Sequence, residues 1–347
     1  MAGALPGSGG RRTATIAVIA SEAGVSITTV SKVLNGRSDV APATRARIEA
    51  CLERHQYQRR YRRQATVSEQ IDVVFHEWDS AWTLEIVSGV ESVTAGAKID
   101  MVLSQLGGAH RPPQQWLDGV LARRPLGVLF VLSNLTQTQR RQLESRSIPF
   151  VVVDTDGAMP PSVPTVGSNN WNGGLIATRH LLELGHRRIA VISGPTDVLC
   201  SRARIAGFRS AHDEAGLAVD PGLVRHGNFH VMGGFENGIA LLDRPDRPTA
   251  IFAGSDMQAL GVLRAARQLG IDVPRDLSVV GYDNLSFSGW IGPSLTTVNQ
   301  PLREMAGTAT RMLLDLARGN ELTTSRIDLA TELIVRESTA PPSPGAC

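Results

Sequence analysis

The chain has 347 residues, 42% of them hydrophobic and 20% charged, and a formal net charge of only +2. That length exceeds what one small core organises and implies two or three domains, while the composition excludes global disorder. Three cysteines, Cys51, Cys200 and Cys347, have neither metal-ligand nor redox spacing and read as free thiols of a reducing cytoplasm.

Residues 1–12 are Gly-, Ala- and Ser-rich and read as a disordered lead-in without the apolar stretch of a signal peptide. No apolar run reaches membrane-spanning length, so a cytoplasmic location without a membrane partner is expected. The first patterned stretch follows. Ile16, Ile19, Ala20 and Ala23 fall at i, i+3, i+4 and i+7, the spacing of one apolar helix face. Gly24 gives the backbone freedom of a tight turn, and Ser26 can cap a second helix whose apolar positions are Val30, Val33 and Leu34. Its other face carries Ile27, Thr28, Thr29, Ser31 and Lys32 with no acidic charge, a surface that can enter a major groove. Taken alone, such a helix pair also suits an ordinary helical core.

Asn35-Gly36 marks a turn, and Pro42 opens a third helix with Ile48, Cys51, Leu52 and His55 as its stripe. A basic run with two aromatics, Tyr57 to Arg63, comes next. Residues 1–63 hold eleven Arg and Lys against four Asp and Glu, leaving the remainder acidic, as expected when one end faces nucleic acid. Gln64–Gln70 reads as a linker.

From Ile71 short apolar strands alternate with helical segments. Strands are expected at Ile71–Phe75, Ile99–Leu103, Gly127–Leu132, Phe150–Val153, Ile189–Ile192, Thr249–Phe252 and Leu277–Tyr282, with helices such as Leu84–Ala95, Leu175–Leu184 and Met257–Leu269. Apolar strands separated by helices imply parallel sheets covered on both faces, here two α/β lobes with a cleft between them. Ligands of such sheets bind at the carboxyl ends of the strands. Enzyme chemistry is not expected: Ser193-Gly194-Pro195 lacks a dinucleotide pattern, no Walker lysine or nucleophile elbow occurs, and the eight histidines show no zinc spacing. No cofactor or metal is implied.

Residues 20–36, Ala-Ser-Glu-Ala-Gly-Val-Ser-Ile-Thr-Thr-Val-Ser-Lys-Val-Leu-Asn-Gly, closely resemble the helix-turn-helix signature of the lac repressor (LacI/GalR) family of bacterial transcription regulators. Val40–Arg45, Leu184–Ala190, Arg204–Phe208, Ala253–Asp256, Ser278–Asn284, Leu295–Pro301 and Val335–Thr339 are similar to further family motifs, in the same order. The resemblance spans about residues 13–341. It implies an all-α helix-turn-helix headpiece plus an α/β two-lobed periplasmic-binding-protein-like (type I) core whose chain crosses between lobes three times. By that analogy residues 13–58 form the DNA-binding domain and 59–70 a basic hinge. The first lobe then combines 71–185 with 300–328, and the second 186–299 with 329–340.

The function so implied is that of a sequence-specific regulator, more often a repressor, binding a pseudo-palindromic double-stranded DNA operator as a homodimer under control of a small molecule. On the DNA side it points to Ile27, Thr28 and Lys32 for base edges and Thr15, Thr29, Ser31 and Asn35 for phosphates. The family's hinge places a leucine in the minor groove, whereas Arg59, Arg60, Tyr61, Arg62 and Arg63 stand here. Four arginines gripping phosphates or sitting in a narrow minor groove imply a steeper salt dependence than a leucine wedge gives. Ala17-Val18 also departs from the family's first helix, and no leucine heptad follows Arg336, so no tetramerisation tail is expected.

For the effector, Trp78, Trp82, Trp171 and Trp290 fall in expected loops, whereas Trp116 suits a core. Aromatic faces over sugar C–H groups, with carboxylates and an arginine on hydroxyls, suit a saccharide. By resemblance Arg204 is the hydroxyl-binding arginine, Asp283 the bidentate carboxylate and Phe229 a stacking platform. Asn172 and Ser255 occupy polar contact positions, Trp78, Asp79 and Trp82 line the first lobe, and Asp79 equally suits a helix cap. Arg204 and Asp283 pairing with each other across the lobes is the structural alternative. A purine-like corepressor that tightens DNA binding is the alternative effector.

Overall fold

The computed structural model describes residues 15–34, 40–55, 57, 69–78, 81–108, 110–155 and 159–343. At the N-terminus α1 (Ile16–Glu22), α2 (Ile27–Leu34) and α3 (Pro42–Arg54) enclose a small core of Ile19, Ala20, Val30, Val33, Leu34, Ile48 and Cys51. The axes of α1 and α2 are bent 107° from each other. Gly24 makes that turn at φ +62°, where no neighbour would meet a side chain, so only backbone freedom is demanded. The Ser26 hydroxyl accepts from the Thr29 amide at 3.1 Å and caps α2. His55 does not extend the apolar stripe of α3 as its spacing suggests. Its ring and Arg54 both engage the Glu22 carboxylate, tying the end of α3 to α1.

The α/β part contains two six-stranded sheets. In chain order its elements are β1 (Gln70–Phe75), α4 (Ala81–Ala97), β2 (Asp100–Gln105), α5 (Gln114–Arg123), β3 (Gly127–Val131), α6 (Gln137–Ser145), β4 (Phe150–Val153), β5 (Thr165–Ser168) and α7 (Asn170–Glu183). There follow β6 (Ile189–Ser193), α8 (Leu199–Glu214), β7 (Val224–His226), α9 (Val231–Leu242), β8 (Ala250–Ala253), α10 (Asp256–Gln268) and β9 (Ser278–Asp283). The last are β10 (Thr296–Asn299), α11 (Leu302–Ala317), β11 (Arg326–Leu329) and β12 (Glu332–Ile334). The first sheet runs β11-β5-β4-β3-β1-β2 and is wholly parallel; the second runs β12-β10-β9-β8-β6-β7, with only β12 antiparallel.

Continuous burial of β3, β4, β6, β8 and β9 follows from helices on both faces. α4 and α11 pack on the first sheet through Ile86, Val90, Met305, Ala306 and Leu313. The second sheet has α9 and α10 on one face and α7 and α8 on the other. The placement of α7 moves a boundary: its Leu175, Leu181 and Leu182 lie in the second lobe's core, so the first lobe ends after β5 and not near residue 185. The chain passes between sheets at Asn169, at Gln300-Pro301 and at Ala330-Thr331.

Four strands escape the sequence reading besides β10: β5, β7, β11 and β12 are only three or four residues long, and β11 and β12 are partly exposed. No helix among the described residues is long and apolar enough to cross a membrane.

Candidate functional site

Two surfaces carry the residues singled out above. On α2, Val30, Val33 and Leu34 are spent on the core, which leaves Ile27, Thr28 and Lys32 on the exposed side. Ile27 is 55% exposed. Thr29 and Ser31 are half-buried, and the Thr29 hydroxyl bonds Ser26 at 2.8 Å. Thr15 is the exposed N-cap residue of α1, its hydroxyl unused for capping. Asn35 and Arg59, Arg60, Arg62 and Arg63 lie outside the described residues.

The second surface is a cleft of about 870 Å³, open mouth included, between the carboxyl ends of both sheets. Its centre is Arg204 on α8, 3% exposed. The guanidinium lies 3.6 Å above the Tyr282 ring centroid, a cation–π stack. Nε donates to Asn170 Oδ1 at 2.9 Å, Nη1 to the Gly254 carbonyl, and Nη2 to Gln300 Oε1 at 3.3 Å. Asp283 Oδ1 stands 4.0 Å from Nη2. Both belong to the second lobe, so this pairing does not bridge the lobes. The bridge is made instead by Gln300, whose Nε2 donates to Asp154 Oδ2 of the first lobe at 3.1 Å.

Burial pushes the carboxyls of Asp154 and Asp283 upward, Asp283 far above the usual range, against the opposing pull of Arg204. Cys200, also in the cleft, has its thiol pushed up to about 12 by burial and is a neutral wall group.

The cleft walls are set by backbone choices that no single residue type announces. Leu132, Asp154, Phe229 and Asp283, at or just past strand ends, all adopt positive φ, at 48°, 53°, 64° and 104°. Non-glycine residues take this conformation uncommonly, and four of the eight that do so among the described residues line this one cavity. Phe229 is seated by Gly194, where any Cβ would overlap its ring, which gives Ser193-Gly194-Pro195 a packing role. Ser255 borders the cleft, but its hydroxyl is committed: it accepts from the Gln258 amide at 3.0 Å and donates to the Phe229 carbonyl at 2.9 Å. Ser255 thus holds Phe229 in place.

Trp82, at the start of α4, lines the first-lobe wall with Phe75, His76 and His110. The two imidazoles meet edge to face at 4.1 Å, and His110 Nδ1 donates to the Leu132 carbonyl at 2.9 Å. At the mouth, His230 Nε2 of the second lobe lies 3.2 Å from Glu77 Oε2 of the first.

Trp78 is 42% exposed and outside the cleft lining. Asn172 is also outside it; its Nδ2 donates to the Thr331 hydroxyl at 3.3 Å, and the neighbouring Asn170 reaches Arg204. Asp79 lies outside the described residues. Trp171 sits on α7 and Trp82 on α4 where loops were expected, while Trp290 is 90% exposed. Trp116 meets Phe130 edge to face in the first lobe's interior. Asp154, Asn170, Gln300, Glu77, His76, His110 and His230 were not anticipated. Asp154 and Glu77 were open to one signal, each lying directly after or two residues beyond an apolar strand whose carboxyl end faces the ligand.

The model for "Bacterial regulatory proteins, lacI family" matches residues 15–60, and that for "Periplasmic binding protein-like domain" matches residues 178–339. The HTH-type transcriptional repressor PurR of Escherichia coli is 34% identical over 331 residues, covering 94% of this chain and 97% of its own. The chain belongs to the lacI family. Among solved structures, the transcriptional regulator CelR–cellobiose complex superposes with a TM-score of 0.72 at 33% identity, over 94% of this chain and 99% of that one. The lac repressor dimer bound to operator and the anti-inducer ONPF gives 0.68 at 26% identity, over 95% and 100%. As a lacI-family protein the chain is a DNA-binding transcriptional repressor with a helical headpiece and a two-lobed α/β core, and not an enzyme. DNA operator binding and response to a small molecule come with that membership.

Proposed function

We propose that this repressor is controlled by a saccharide bound in the interlobe cleft, which lowers its operator affinity. The observation that carries the reading is the Arg204-centred cluster, with buried acceptor carboxylates Asp154 and Asp283 from opposite lobes flanking one donor, between the rings of Trp82 and Phe229. Adjacent sugar hydroxyls donate to a carboxylate and accept from a guanidinium, while the ring's C–H faces lie on aromatics. The likeness to a regulator solved with cellobiose supports the same class.

In this reading a ligand touching both lobes favours the closed arrangement and shifts the population, with a coupling of about 1–3 kcal/mol between cleft and headpiece. The protein acts in the cytoplasm as a homodimer, each headpiece placing α2 in one half of a pseudo-palindromic operator. Ile27, Thr28 and Lys32 read base edges; Thr15, Thr29, Ser31 and Asn35, with the hinge arginines, hold phosphates.

The test is a thermal-shift screen of the full chain against sugars, oligosaccharides and purines, since a ligand of the native state raises Tm by mass action. A shift with one saccharide class, lost in Asp283→Ala and Arg204→Ala variants that still fold, supports the reading. A shift with purines alone overturns it in favour of a corepressor that tightens DNA binding.

A further inference from the structure

Beside the cleft lies a second cavity of about 840 Å³, open mouth included, just past the end of β4 and along β5 and the Arg326 and Asp328 face of β11. The cleft occupies the ends of β1, β3 and β4, so the two lie side by side along one sheet edge and share Asp154 and Cys200 at their junction. From β1 to β11 is four strand spacings, about 19 Å, longer than a single hexose ring.

The second cavity has the furniture of a sugar site. Trp171, 43% exposed, supplies an aromatic face from the start of α7. Asp328 lies opposite Gly167 in the parallel pairing of β11 with β5, and its Oδ2 accepts from Arg326 Nε at 3.0 Å. Gly167 has no side chain, which lets the Asp328 carboxylate lean over β5; a Cβ there would stand 3.1 Å from Oδ1.

We propose that the two cavities are consecutive subsites for one chain-like saccharide, with a unit beyond the first stacking on Trp171 and bonding Asp328. The effector is therefore a disaccharide or longer, and a monosaccharide fills only the Arg204 side. This rests on the saccharide reading above, and the experiment separates the two.

Calorimetric titrations of the full chain use matched mono-, di- and trisaccharides of β-1,4-linked glucose, mannose and xylose and of α-1,4-linked glucose. In the series that binds, affinity rises at least tenfold from mono- to disaccharide or from di- to trisaccharide. Trp171→Ala removes that gain while leaving the monosaccharide within twofold, and Asp328→Asn, a milder change, reduces it. Emission of the wild type, compared with Trp171→Phe, changes with the longer ligand and not with the monosaccharide. If monosaccharide and longer chains bind equally and Trp171→Ala affects neither, the subsite is overturned while the cleft reading stands. If no saccharide of any length binds, the cleft reading falls and the subsite falls with it.

Discussion

A side chain at Gly207 would overlap the backbone carbonyl oxygen of Trp171, so α8 and α7 touch main chain to main chain at that point. Gly174 makes the reciprocal approach, its missing side chain leaving room for the carbonyl of Arg204. The same crossing sets Asn170 against Arg204 and fixes where Trp171 emerges. Gly207→Ala forces the helices apart, at a loss of about 1–3 kcal/mol of stability. It lowers effector affinity at least tenfold, whereas Gly24→Ala, strained only by its positive φ, loses about 1 kcal/mol and weakens DNA binding alone. Paired calorimetry and operator titrations check this. Equal effects of both substitutions on the effector would contradict it.

Arg204→Lys does not substitute for arginine. A lysine ammonium lacks the planar fork that reaches Asn170, Gly254 and Gln300 together while stacking on Tyr282. Effector binding is lost in the lysine variant. In Arg204→Met the buried carboxyls of Asp154 and Asp283 lose their cation, destabilising the fold by about 3–5 kcal/mol at neutral pH. Because burial already raises both groups, protonation relieves part of the loss, and urea denaturation shows a smaller deficit at pH 5 than at pH 7.5.

Asp256 opens α10 from a buried position, accepting from the Leu285 amide at 2.7 Å, the Thr297 hydroxyl at 2.6 Å and the Ser288 hydroxyl. Burial nonetheless pushes its carboxyl from 3.8 up to about 6. Well below pH 4 both folded and unfolded chains hold this proton and the group is neutral to stability. As pH rises from about 4 to about 6 the unfolded chain releases it first, so unfolding becomes easier, by about 3 kcal/mol in total, and levels off above. Asp154 and Asp283 act with the same sign. Denaturation midpoints therefore fall across this window, and the fall is shallower in Asp256→Asn.

The hinge run predicts salt behaviour. Each phosphate contact contributes about 0.9 to the slope of log K against log salt. Replacing Arg62 and Arg63 by Gln lowers that slope by about 2 for each protomer engaged and leaves effector affinity unchanged. An unaltered slope would place these arginines off the backbone.

The headpiece was readable because everything it needs is local: a 3.6-residue apolar period, one turn glycine and one capping serine within about twenty residues. The long buried strands were readable for the same reason. The cleft was readable only in part. Arg204, Asp283, Phe229, Ser255 and Trp82 were reached as lining residues, but Asp154 and Gln300 lie 146 positions apart and declare their bond through neither periodicity nor spacing. Left-handed backbone at Leu132 and Phe229 is not signalled by residue type, so it is silent in the sequence. The fate of α7 was decided by which sheet its leucines meet, and a helix-period pattern does not name its partner.

Asn170 and Gln300, the two side-chain amides holding Arg204, sit at two of the three places where the chain passes between lobes. If Arg204 holds the effector as proposed, recognition and pivot are built from the same atoms, and altering that knot disturbs what is sensed and how motion follows at once. The rim is different: Trp82 and Phe229 line the cleft, and Trp171 and Asp328 the neighbouring cavity, without bonding the pivots. New specificities can therefore be selected at the rim while the switching device is inherited intact, and a bench search for altered inducers belongs there.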